Sequence, residues 1–184
     1  IGVKPQVALL ISTGRTRVRE LLSLALLYIS AENEGRLPAD LVRIVRTFRE
    51  AKKTDSKEMY LKNVSQLEEI VTSRPDPKYD AQFLLFIGSY YVYVDEYAKA
   101  IETFRKVIDT YPDSRLASIA QCAIGIVYEE KLADMEQARQ AYRDVLSRYP
   151  ASPEVEEATE GLKRLEVSGS VPRPAAAGPA WRAG

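Results

Sequence analysis

An all-α repeat array is the fold class this sequence predicts, and three observations carry that prediction. First, Tyr111-Pro112 and Tyr149-Pro150 lie 38 residues apart, and the match extends backwards from them. By the same shift Ala100, Phe104, Arg105 and Val107 map onto Ala138, Tyr142, Arg143 and Val145. Ile70-Val71 and Pro75-Asp76 map onto Val107-Ile108 and Pro112-Asp113 with a shift of 37. A fixed offset in this range marks a helical repeat. Second, apolar residues recur at helical spacing on both sides of each of these prolines. Third, hydrophobic residues make up 46% of the chain and charged ones 28%, a composition that folds without staples. Such an array offers a surface more readily than a catalytic pocket.

The elements follow in order along the chain. Val7 to Ile11 is a short apolar run that fits helix or strand. Residues 17–31 read as an apolar helix, stopped near Asn33 and Gly35. Pro38 suits the first turn of the next helix. There Leu41, Ile44, Val45, Phe48 and Ala51 form an apolar stripe, and Arg43, Arg46, Arg49, Lys52 and Lys53 a basic face. Residues 57–73 form another helix, broken by Arg74-Pro75-Asp76-Pro77. Residues 80–94 pair with 97–110, and 115–130 with 135–148. A last helix runs from about Pro153 to Glu166. Three regions result: an N-terminal helical segment over 1–56 that can hold a degenerate repeat, a repeat region over 57–166, and a disordered tail over 167–184. Trp181 is the one large apolar side chain of that tail.

Composition excludes several chemistries. At 184 residues the chain is long enough for one domain with its own core. Lys+Arg and Asp+Glu are both 26, so no overall field steers it to nucleic acid. The charge is uneven: residues 1–57 hold 11 basic and 6 acidic side chains, so an acidic partner could meet this segment. There is no His, which removes the commonest general base and metal ligand. Cys122 is alone, so no internal disulfide or thiolate cluster forms. No phosphate-binding Gly loop and no nucleophile elbow occurs. The acidic pairs Glu129-Glu130 and Glu156-Glu157 read as solvated helix faces, because helix neighbours point in different directions. The expectation is therefore no catalytic residue, no metal and no cofactor. Leu21 to Ile29 is too short to span a bilayer, which needs about 20 apolar residues. Glu20 argues against reading it as a signal peptide. A start at Ile1 rather than Met is expected of a processed or excised piece.

Residues 81–112 resemble a tetratricopeptide repeat. Leu84, Ile87, Gly88 and Tyr91 occupy that family's signature places in the first helix, and Ala100, Phe104 and Pro112 those in the second. The next unit repeats the pattern with Gly125, Tyr128, Ala138, Tyr142 and Pro150, with one extra residue in its inner turn. Residues 57–77 resemble a second helix of an earlier unit, with Asn63 in place of its small residue. The last helix carries Gly161 at the matching place and is expected to cap the stack. "Tyr-Pro-Asp-Ser" at 111–114 and "Tyr-Pro-Ala-Ser-Pro" at 149–153 are similar to repeats in bacterial envelope proteins of the Tol–Pal accessory and outer-membrane assembly lipoprotein type.

The resemblance implies a right-handed superhelical stack of antiparallel helix pairs whose first helices line a concave groove. Its groove-lining places fall on Gln82, Leu85, Ser89 and Val92, then on Ile119, Cys122, Ile126 and Glu129. Leu85 and Ser89 stand where the family's carboxylate clamp has Lys and Asn, so that mode of binding is not expected. A mostly apolar groove should prefer an apolar or amphipathic helix, or the chain's own N-terminal segment. The expected function is a protein–protein interaction scaffold. The alternative is a regulatory or accessory module of a larger enzyme or envelope assembly. Arg43, Arg46 and Arg49 form a secondary candidate surface. Homo-oligomerisation is allowed. The sequence does not fix the compartment; the resemblance leans to the bacterial periplasm or cell envelope, with the cytoplasm as alternative.

Overall fold

A computed structural model describes residues 57–73 and 79–170. The expected helices before residue 57, the basic face at Arg43, Arg46 and Arg49, the proline break at 74–77 and Trp181 lie outside them. Six α-helices follow one another in the described residues, and no strand occurs among them: α1 (Lys57–Ser73), α2 (Asp80–Tyr93), α3 (Tyr97–Thr110), α4 (Arg115–Val127), α5 (Met135–Arg148) and α6 (Glu154–Ser170). Each packs on the next, so the chain is an all-α, tetratricopeptide-like stack of antiparallel helices. α6 runs to Ser170, past the expected boundary at Val167.

The helices differ in burial according to their place in the pair. α2 and α4 are apolar on every side, and nearly all their residues are buried. A helix of that kind belongs inside a stack, with neighbours all round. α3 and α5 are amphipathic: one side is buried (Ala100, Ile101, Thr103, Phe104, Val107 and Ile108; Ala138, Ala141, Tyr142 and Val145) and the other faces solvent. Ser114 caps α4 by accepting from Leu116 N at 3.2 Å, and Asp134 caps α5 by accepting from Gln137 N at 3.1 Å. Each such cap typically stabilises by about 1 kcal/mol.

Gly88 and Gly125 explain how paired helices come so close. A Cβ on Gly88 would lie 2.6 Å from the Phe104 ring, and one on Gly125 2.5 Å from the Tyr142 ring. Both rings are fully buried, so a side chain at either glycine would force one of the two helices or its ring to shift. Gly161 stands at the place that matches Gly88 and Gly125, on a last helix expected to cap the stack without a partner helix of its own. It packs on the preceding helix α5: its missing Cβ would strike the far edge of the same Tyr142 ring. Tyr142 is thus clasped by two glycines from α4 and α6. That contact seats α6 on the end of the stack.

The inner turns show where the extra residue goes. α2 ends with Asp95 in the left-handed region (φ 67°), and Glu96 N donates to Tyr91 O at 2.8 Å, five residues back. This is the usual closure of a helix C-terminus. In the next unit Ala133 takes the left-handed place (φ 52°), and Asp134 N donates to Tyr128 O at 3.0 Å, six residues back. The intervening Tyr128–Leu132 is a π-helical turn. One inserted residue is absorbed by widening the last turn of the helix.

Candidate partner-binding groove

The groove positions are built by α2 and α4, which lie side by side with their glycines in phase. Gln82 on α2 and Ile119 on α4 are separated by the 37-residue shift and are both half-buried, so each keeps an accessible edge. The other six differ. Leu85 is 5% exposed, and Ser89 and Val92 are buried with it. Leu85 and Val92 share a core cluster with Leu116, Ala120 and Ala123 of α4, so they fill the seam between units. The Ser89 hydroxyl donates to Leu85 O at 2.8 Å, which satisfies it inside the helix. Cys122 and Ile126 are each 3% exposed and pack in a second cluster with Tyr142, Ala158 and Leu165.

Glu129 is committed within the chain. The π turn carries it towards α6, where Arg164 donates to both its oxygens, Nε to Oε1 at 2.8 Å and Nη2 to Oε2 at 2.9 Å. The Tyr142 hydroxyl donates to Glu129 Oε2 at 2.6 Å. Arg164 Nη2 also donates to Glu157 Oε1 at 3.1 Å. Bidentate, charge-assisted pairing of this kind is strong and directional. Two pKa directions follow. The Glu129 hydrogen bond, with both carboxylates, holds the guanidinium more firmly protonated than usual. Burial, then the bond to Glu129, pushes the Tyr142 hydroxyl far above its ordinary 10.0.

This corrects the reading of the acidic pairs. Glu130 and Glu156 are solvent-exposed, as expected of a solvated face. Glu129 and Glu157 are not; they share one arginine at the end of the stack. Arg164 went unnoticed in the sequence because it lies 35 residues from Glu129. Its one local signal is the separation of seven from Glu157, two turns along one helix face. Among the described residues no group of His, Cys, Asp and Glu is placed to hold a metal, and no helix is long and apolar enough to cross a membrane.

With this geometry established, comparison with known proteins adds one match. Residues 81–114 and 123–152 match the family model described as tetratricopeptide repeat. Those stretches take in nearly all of α2, all of α3 and α5, and the last part of α4, and they support the likeness of these helix pairs to tetratricopeptide repeats. No curated protein and no solved structure matches the chain.

Proposed function

We propose that this chain is an interaction scaffold that binds a peptide or partner helix in the concave groove of its stacked pairs. Tetratricopeptide repeats generally mediate protein–protein interaction. The observation that supports a groove here is the in-phase partial exposure of Gln82 and Ile119 on adjacent, mostly buried first helices. Because Leu85, Val92, Cys122 and Ile126 are packed away, contact depends on the shallow edge at Gln82 and Ile119. An extended or helical segment with a small apolar anchor suits such an edge.

The test uses peptides selected by display on the full chain. Ile119→Glu and Gln82→Arg should each weaken the selected binders by roughly tenfold, about 1.4 kcal/mol. Leu61→Glu, at an exposed position on α1, should leave them unchanged. Circular dichroism should be the same for all three. If the binders tolerate both groove changes, the groove is not the site.

A further inference from the structure

α6 sits in the array as a first helix does. α4 packs on both helices of the preceding unit, α2 and α3, and α6 likewise packs on both α4 and α5. A shift of 36 takes Gly125 to Gly161, and by it Ile119 and Ile126 become Val155 and Leu162. The groove places therefore continue onto the last helix, and their exposure changes there. Ile126 is 3% exposed, whereas Val155 and Leu162 are both half-buried, as Gln82 and Ile119 are. Val155, Thr159, Leu162 and Glu166 are spaced i, i+4, i+7 and i+11, which is one face of a helix. The Thr159 hydroxyl donates to Val155 O at 2.8 Å and is satisfied within the helix. The two apolar residues stand about 10 Å apart along the axis, at 1.5 Å per residue. The face ends on the exposed Glu166, and the same shift takes Glu130, also exposed, to Glu166.

We propose that α6 is the third wall of the groove and that the partner is a basic amphipathic helix. Two apolar residues of that helix, seven positions apart, meet Val155 and Leu162, and a Lys or Arg meets Glu166. This rests on the groove reading above and adds where the partner is anchored and what charge it carries. A helix suits the site because its own seven-residue spacing matches the separation of the two apolar places. Its charge follows from α6, which has five glutamates against Lys163 and Arg164. Both cations are already paired. Arg164 is held by Glu129 and Glu157, and Lys163 by Glu160 at 2.8 Å. The field along this wall is therefore negative, and a basic partner complements it. An exposed ion pair at Glu166 adds little affinity. The apolar contacts supply that, while Glu166 fixes which end of the partner lies at the C-terminal end of α6.

The probe is a displayed library of helices with leucines at two positions seven apart and any residue allowed at either end, selected on the full chain. The selected helices should carry Lys or Arg at one end; selection without a basic residue would overturn the proposal. Leu162→Gln should weaken the best of them roughly tenfold. Glu166→Lys should weaken it about threefold, and replacing the basic residue of the peptide by Glu should restore binding to that variant. Circular dichroism should be the same for both variants. If Ile119→Glu weakens the peptide and neither change on α6 does, the groove stands and its third wall falls. If all three changes are tolerated, or no helix is selected, both readings fall. A dimer of the unliganded chain that Leu162→Gln dissociates would assign this face to a second copy and overturn the proposal. Should Leu162→Gln loosen the fold, the charge exchange decides alone, because Glu166 is exposed. Failure of the reversed pair to bind then overturns the proposal.

Discussion

Tyr142 shows how much one side chain can settle. Its ring is fully buried between Gly125 and Gly161, and its hydroxyl reaches a carboxylate. Gly125→Ala should therefore destabilise. A methyl forced onto that ring costs about 1–3 kcal/mol, against about 1 kcal/mol gained in helix propensity. A urea midpoint at or above the parent's would show that the ring can step aside. Tyr142→Phe should lose about 1.5–3 kcal/mol, the range for a hydrogen bond to a charged group. Tyr149→Phe should be neutral or slightly stabilising, because the Tyr149 hydroxyl is buried without a hydrogen-bond partner among the described residues. The reason is a substitution in the repeat. Tyr111 donates to Asp80 at 3.4 Å, but the 37-residue shift turns Asp80 into Ala117. Neighbouring Ser118 is already engaged with Arg115 O and Glu154, each at 2.8 Å. Paired melts of the two Phe variants measure this contrast directly.

At the scale of elements, α6 is attached by two different kinds of contact. One is steric, through Gly161, Ala158 and Leu165; the other is ionic, through Arg164. Arg164→Met keeps most of the stem and removes the charge. It leaves Glu129 and Glu157 facing each other with 13% and 9% side-chain exposure. Removing one partner from a buried network costs about 3–5 kcal/mol. The lower end applies here, since the Arg164 side chain itself is 32% exposed. Hydrogen exchange should localise the loss to α6. Adding Glu129→Gln should recover part of it, and no recovery would mean that packing of the arginine stem dominates. Helix positions and pairing were legible in the sequence, because the apolar period and the prolines state them directly. Attachment of α6 was not. Nothing in Gly161 says which aromatic ring it will meet, and two helices that meet face to face leave no shared period along the chain.

For the whole molecule, the fold was readable and the exposure of its groove was not. The 37-residue shift identifies which residues share a phase, but it does not say how far the next unit covers them. Leu85 and Cys122 disappear into the seam, whereas Gln82 and Ile119 stay at the edge. The tyrosine-rich core also sets the response to pH. Burial pushes the Tyr90, Tyr91 and Tyr142 hydroxyls well above the ordinary 10.0, and a hydrogen bond to Asp95 raises Tyr97 to about 12. In the unfolded chain these groups ionise near pH 10. Above that, the folded state holds more protons than the unfolded one, so stability falls as pH rises. Below it, their contribution is fully present and flat. Urea midpoints should therefore hold steady up to about pH 9 and then decline steadily. A midpoint unchanged to about pH 11 would mean that these hydroxyls find compensating partners on ionising.

The π turn at Tyr128–Leu132 also bears on how such an array can change over time. An added residue stored at the rim of a helix leaves the seam between units untouched, so the spatial repeat survives while the count along the chain drifts from 37 to 38. Insertions at this rim are then nearly silent for assembly. They still rotate the residues that carry them, as Glu129 was carried to Arg164. Length variation at one edge becomes a source of new contacts that does not first have to break old ones.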